Sequence, residues 1–229
     1  MNSSIDPSAP QTPHFYAIGT PGQPWGATEL AQWRARQVRH RSYADDVLPR
    51  VERLGDRFDL VPYGEVVYAD EHFPLFAARS RDWQPSLPAV LVTGGVHGYE
   101  TSGVNGALQF LEQHAARYAG RVNLLVAPCV SPWGYERVQR WNHDALDPNR
   151  SFRADSPAEE CAALMRVVTS VAPLPGQWTV HIDLHETTDS DESEFRRALA
   201  ARDGKTFVPG SIPDGFYLVD DTVQPQPAF

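Results

Sequence analysis

Hydrophobic and polar positions along the chain follow two periods, and their succession predicts the elements. The first 27 residues follow neither: they are rich in Pro, Ser and Gly with scattered aromatics, and are expected to form an irregular arm over the surface. Residues 28–54 have a helical period and are expected to form helix in two pieces. Leu30, Trp33 and Gln37 share one face, and Arg34, Arg36, Arg39 and Arg41 lie mostly outside it. Residues 57–69 and 73–80 are rich in β-formers such as Val61, Tyr63, Val66, Val67 and Tyr68, with Asp70, Glu71 and His72 as the turn between two strands. Residues 87–95 are a continuous apolar run closed by two glycines, the pattern of a buried central strand. A helix is expected over 99–117, with Ala107, Leu108, Phe110, Leu111 and Ala115 inward, and a strand over 121–127, closed by Pro128. Ser156, Pro157 and Glu159 read as N-cap, first helical residue and capping-box partner of a helix that buries Cys161, Leu164, Met165 and Val168. Residues 178–184 alternate, with Val180, Ile182 and Leu184 on one face and His181, Asp183 and then His185 on the other. A last helix is expected over 192–202, before a tail rich in Pro and Asp.

Strands alternating with helices predict an α/β fold: a mixed, mostly parallel central sheet with helices on both faces. Residues 28–229 are expected to form one domain behind the arm of residues 1–27. Sheets of this kind carry their chemistry in loops beyond the carboxyl ends of the strands. That rule selects residues 94–100, 128–150 and 185–190.

Composition narrows the partners. The 229 residues carry 20 Lys+Arg against 29 Asp+Glu, a net charge of −9. Nucleic acid and anionic membrane surfaces need a basic footprint, so neither is expected as a partner. The Arg34–Arg41 cluster is accordingly read as a solvated face rather than a phosphate site. No apolar run approaches the ~20 residues of a membrane span. The N-terminus lacks a basic segment followed by an apolar one, and only Cys129 and Cys161 are present, so a cytoplasmic location is the expectation.

The three selected loops hold the candidate chemistry. Gly94-Gly-Val-His97-Gly-Tyr-Glu100 lacks the G-x-G-x-x-G spacing of a dinucleotide turn and offers instead His-x-x-Glu. At that spacing an imidazole and a carboxylate lie on one side of a turn and can meet on one cation. They are ligands of the kind that zinc takes in open sites, with a third from elsewhere. His185 ends the alternating strand and is the candidate third ligand. His181 lies roughly 13 Å further down that strand and is expected to be a core histidine. His14, His40, His72, His114 and His143 read as surface or structural residues. Asp147-Pro-Asn149-Arg150 is either a plain turn or a carboxylate-binding loop. In the second reading Asp147 orients a metal-bound histidine.

Taken together, His97-Gly-Tyr-Glu100, Asp147-Pro-Asn149-Arg150 and Asp183-Leu-His185 resemble the zinc carboxypeptidase family and its relatives, the succinylglutamate desuccinylase/aspartoacylase group. Ser131-Pro-Trp-Gly-Tyr135 and Arg140-Trp141 are similar to further motifs of that family. The resemblance covers roughly residues 60–190. It implies one zinc ion per chain on His97, Glu100 and His185. It also implies a substrate carboxylate on Asn149 and Arg150, and Asp147 as the partner of His97. The implied substrate is a peptide, or a small acyl-amino acid, with a free carboxylate.

Two departures stand out. Asn142 occupies the place of the family's oxyanion-stabilising arginine, which leaves Arg140 or Arg137 for that role. The family's general-base glutamate has no match, and strand alternation turns Glu186 away from the face of His185. A chain shortened at its C-terminal end relative to the family, with slow or no turnover, is the expectation. The functional expectation is a zinc-dependent carboxypeptidase-like hydrolase. A deacylase of N-acyl amino acids, a zinc-binding remnant without turnover, and an α/β binding domain with structural histidines are the alternatives.

Overall fold

The computed structural model describes residues 15–172, 176–212, 215–220 and 225. His14 and the other residues before position 15 of the expected arm lie outside them. Among the described residues, five strands form one sheet in the order β1-β2-β4-β3-β5. They are β1 (Phe58–Tyr68), β2 (Glu71–Ser80), β3 (Ala89–Gly94), β4 (Asn123–Ala127) and β5 (Trp178–Leu184). The sheet is mixed: β2 is antiparallel to both β1 and β4, whereas β3 is parallel to both β4 and β5.

The β1–β2 turn is tighter than the sequence suggested. Ala69 takes a left-handed φ of 55° beside Asp70, and Glu71 and His72 already pair with Tyr68 and Val67. Parallel pairs need crossovers, and helices supply them. Between β3 and β4 runs α4 (Thr101–Gln109), continued by a π-type turn at Phe110–His114 and a 3₁₀ turn at Ala115–Tyr118. Between β4 and β5 run α5 (Pro132–Arg137) and α6 (Glu159–Val171).

Alternation along β4 sorts its side chains between two cores. Leu124 and Val126 join Val92, Ala78 and Phe58 under Ala107 of α4 and the following Leu111. Leu125 and Ala127 join Leu91, Leu75 and Ala77 under Ala163, Leu164 and Val167 of α6, with Trp33 and Trp141. Every residue of β4 is buried, as expected of a strand covered by helices on both faces. β5 differs because, among the described residues, only β3 pairs with it, and Ile182 is left 46% exposed. His181 is therefore no core histidine. It sits on this exposed edge strand with Nε2 2.9 Å from Thr93 Oγ1.

The N-terminal helices depart further from the sequence reading. There are three short pieces rather than two: α1 (Ala27–Ala35), α2 (Tyr43–Asp46), capped by the Ser42 side chain, and α3 (Leu48–Arg53). The arginines between and before them do not form one solvated face. Arg34 pairs with Asp144, Arg39 with Glu136, and Arg41 is partly buried against Tyr135. Each of these ties the segment to the stretch that follows β4.

Helix α6 also starts later than its cap signature suggests. Ala158 is the N-cap, and Ser156 Oγ closes a local turn with the Ala158 backbone instead. Starting at Glu159 faces Cys161 inward, where its Sγ donates to Pro148 O at 3.3 Å. The final helix, α7 (Arg196–Arg202), follows a π-type turn at Asp191–Phe195. No helix among the described residues is long and apolar enough to cross a membrane.

The same start buries Glu160, which is 2% exposed. Burial raises its carboxyl above the usual 4.5, although Asn142 and Tyr68 act in the opposite direction. A raised carboxyl holds its proton in the native state to a higher pH than in the unfolded chain. Its contribution to stability is full below the unfolded value and is lost as pH rises through the folded one. Glu160→Gln keeps the shape and removes the titration. The variant is expected to melt above the wild type at pH 8 and to converge with it near pH 4. An unchanged offset at both pH values in thermal melts by circular dichroism would refute this account.

Candidate metal centre

The three parallel strands deliver their loops to one edge of the sheet. β3 lies between β4 and β5, so the residues after its end face those after theirs. The chain leaves β3 through Gly95 at a φ of +60°, where a Cβ would lie 2.6 Å from Val104 Cγ2. Gly98 then presses on the peptide between Gly134 and Tyr135, and a Cβ there would come within 1.9 Å of Gly134 C. Only glycine permits either approach. The turn built on these glycines carries His97 and Glu100 into the interior, 2% and 1% exposed, before α4 begins at Thr101.

His185 follows β5 directly and completes a cluster. One ligand atom each from His97, Glu100 and His185 lie within 4.8 Å of one another. His97 Nδ1 is 2.7 Å from Glu100 Oε1, and His185 Nδ1 is 2.8 Å from Glu100 Oε2. The two rings thus present the same nitrogen to one carboxylate. Each opposite nitrogen is held by another carboxylate: His97 Nε2 lies 3.0 Å from Asp147 Oδ1, and His185 Nε2 lies 2.7 Å from Asp183 Oδ2. Carboxylates on the outer nitrogens are how metal-ligating histidines are oriented. Two imidazoles and a carboxylate, with one side of His185 open to solvent, fit a zinc ion of the open type.

The charges of the cluster depend on one another. Burial alone would raise the Glu100 carboxyl, but the hydrogen bonds from His185 and His97 prevail and hold it below the usual range. Asp147 is likewise lowered, with burial opposed first by His97 and then by Arg140 and Arg150. Burial disfavours the His185 imidazolium, yet Asp183 and Glu100 outweigh it and push the ring up to about 10. A cation would compete with that proton for the same lone pair.

Asn149 and Arg150 follow Asp147 in a short turn at the rim. Asn149 Nδ2 lies 3.4 Å from His185 Nε2, and the exposed Arg150 guanidinium spends one bond on Asn149 O at 3.0 Å. Both candidates for the oxyanion role are engaged elsewhere. Arg140 donates to Asp147 Oδ2 and Asp191 Oδ1, each at 3.2 Å. Arg137 is taken up by Glu71, Glu136 and the Trp133 ring. Asn142 is buried and closes its own loop, accepting from the Asp144 and Leu146 backbone N–H groups. His143 stacks on Tyr68 at 4.4 Å between ring centroids. The carboxylate of Glu186 accepts from Ser102 N at 3.0 Å and Ser102 Oγ at 2.9 Å, in the first turn of α4.

Sequence reasoning placed Asp183 in a motif without a role, and missed Thr93 and Asp191. Asp183 was legible in principle, since it lies two residues before His185 on the same strand face. Thr93 Oγ1 donates to Asp183 Oδ1 at 2.7 Å and sits at the matching position of β3. Asp191 accepts from Tyr99 Oη at 2.8 Å and from Arg140, a convergence with no local sequence signal.

Comparison with known proteins agrees with this geometry. The chain matches the model of the succinylglutamate desuccinylase/aspartoacylase catalytic domain over residues 86–204, just over half of its length. No curated protein matches it. Among solved structures, a proposed metallopeptidase from Shewanella denitrificans OS217 is 27% identical with a TM-score of 0.51, covering 63% of this chain and 52% of that one. A proposed carboxypeptidase A, also from Shewanella denitrificans, is 18% identical with a TM-score of 0.53, covering 64% of this chain and 40% of that one, and shares the fold. The chain therefore spans about half the length of these structures or less. It belongs to the succinylglutamate desuccinylase/aspartoacylase family, and the matched segment holds every member of the His97–Glu100–His185 cluster.

Proposed function

We propose that the chain carries the zinc site of a carboxypeptidase-like hydrolase, which cleaves an amide bond next to a free carboxylate. A C-terminal peptide bond and an N-acyl amino acid share that chemistry, and the family match favours the second as substrate. One observation carries the proposal. His97 Nδ1 and His185 Nδ1 converge on the Glu100 carboxylate, and their outer nitrogens are held by Asp147 and Asp183.

His97, Glu100 and His185 would hold a single zinc ion. Bound there, zinc lowers the pKa of a water toward neutrality and polarises the scissile carbonyl. The protein's own groups supply the rest. Asp147 and Asp183 accept from the outer nitrogens, so both inner lone pairs face the same point. Arg150, exposed beside the cluster, receives the substrate carboxylate by paired N–H donors, and Asn149 adds an amide donor. Arg140 holds Asp147 ionised and is itself held by Asp191. Glu186 is committed to α4 and contributes no proton transfer.

Two measurements test this reading. Elemental analysis and calorimetric titration of the full chain should find one zinc per chain, and the His97→Ala, His185→Ala double variant should lose it. Zinc retained by that variant would sink the site. In the zinc-loaded protein, an N-benzoyl amino acid should bind better than its C-terminal amide. Arg150→Ala should cost roughly 1 kcal/mol of that binding, as for an ion pair at a solvent-exposed rim. The role of Arg150 fails if the free acid and the amide bind equally to the wild type.

A further inference from the structure

Arg41 lies outside the matched segment, in the irregular stretch between α1 and α2, yet its side chain reaches the turn that carries two of the three cluster residues. Nη2 donates to Gly98 O at 2.8 Å, between His97 and Glu100. Nη1 donates to Thr101 Oγ1 at 2.5 Å, at the first residue of α4. Nε donates to Tyr135 O at 2.6 Å, and the guanidinium carbon stands 3.8 Å from the centroid of the Tyr135 ring. The base of the side chain is anchored as well, because His40 N and Arg41 N both donate to Glu136 O.

These bonds fall on both sides of one contact. Gly98 rests on the peptide before Tyr135 so closely that no Cβ fits. Arg41 binds Gly98 O on one side of that contact and Tyr135 O on the other. The guanidinium therefore locks the turn against α5 with a planar set of divergent donors. Lysine cannot reproduce this, since its donors radiate from a single nitrogen. Ligands of a metal must be held within ~0.5 Å of their working positions. A turn of glycines cannot do this alone, because glycine is the residue with the most backbone freedom.

We propose that Arg41 is a positioning residue of the metal turn, setting the placement of His97 and Glu100 from outside the segment that bears them. The proposal rests on the zinc reading above. Its test uses the full chain and two readouts that a general loss of stability does not mimic. The first is zinc affinity, measured by competition with a chromophoric chelator. The second is the visible absorption spectrum of the cobalt(II)-substituted protein, which reports ligand geometry. Arg41→Ala and Arg41→Lys should each weaken zinc binding by about 10- to 100-fold, the range seen when partners of metal ligands are removed. Both should shift the cobalt bands. Arg39→Ala removes a neighbouring ion pair with Glu136 and should leave both readouts at the wild-type level. If Arg41→Ala does not fold, Arg41→Lys carries the test alone. A folded Arg41→Lys protein with wild-type zinc affinity and cobalt spectrum overturns the role of Arg41 and leaves the zinc reading standing. Failure of the wild type to take up zinc overturns both.

Discussion

A carboxylate that is 1% exposed is the constraint around which the site is built. Glu100 stays ionised in the interior because two imidazoles face it. Burying a charge is costly unless it is paired and hydrogen-bonded. Each group that compensates Glu100 brings a demand of its own. His97 and His185 need acceptors on their outer nitrogens, and Asp147 and Asp183 provide them. Asp147 in turn needs Arg140, and Arg140 is shared with Asp191. The result is a chain of alternating charge running from the cluster to the segment after β5. Arg140 meets two of these carboxylates, Asp147 and Asp191, and Arg150 adds a second positive charge near Asp147. Buried ion pairs of this kind seldom stabilise a fold beyond what packed apolar residues would achieve. A divalent cation at the point where the inner nitrogens meet would add positive charge beside the buried Glu100 carboxylate.

The sheet makes this economical. Because β3 is parallel to both neighbours, three loops end at the same edge, and the direct pairing of Thr93 with Asp183 brings these two side chains into contact two residues before His185. Alternation does the sorting: residues of β4 that face α4 leave those facing α6 to build the opposite core. The site then lies at the edge where these loops meet, with Val96 and Val104 of the core on either side of the His97–Glu100 turn. Its rim, at Asn149 and Arg150, is carried by the connection after β4, which Cys161 of α6 ties down through Pro148 O.

How much of this was legible in the sequence follows from the range of each interaction. His97 and Glu100 share a turn, and His185 ends a strand whose direction alternation reveals, so the cluster could be read from local pattern plus the strand-end rule. Asp147 came with them through its motif. Arg41 could not be read in this way. Its partners Gly98 and Tyr135 are 57 and 94 residues away, and a basic run on an amphipathic stretch looks the same whether it meets water or docks. Ser156 shows the opposite failure. Its local cap signature is sound, but tertiary packing prefers the start that buries Cys161, Ala163 and Leu164, and packing outweighs a cap of ~1 kcal/mol. His181 was misplaced because alternation gives a face and says nothing of whether a strand lies at the edge.

Helix α4 shows how a site can break a local rule and have the cost met elsewhere. Glu100 occupies its N-cap, where an acidic residue would ordinarily accept from the first backbone N–H groups. It makes no such bond, because its carboxylate is turned to the histidines. Glu186 takes over the task from the far side of the crevice, accepting from Ser102 N and Ser102 Oγ. An anion at that position also meets the positive end of the helix dipole. Tyr99 strengthens the link by donating to Glu186 O, and Thr188 N closes the same loop on Asp191. The residue directly after His185 is thereby bound to the helix directly after Glu100. The separation of these two cluster residues is thus fixed by a helix cap that comes from the segment after β5.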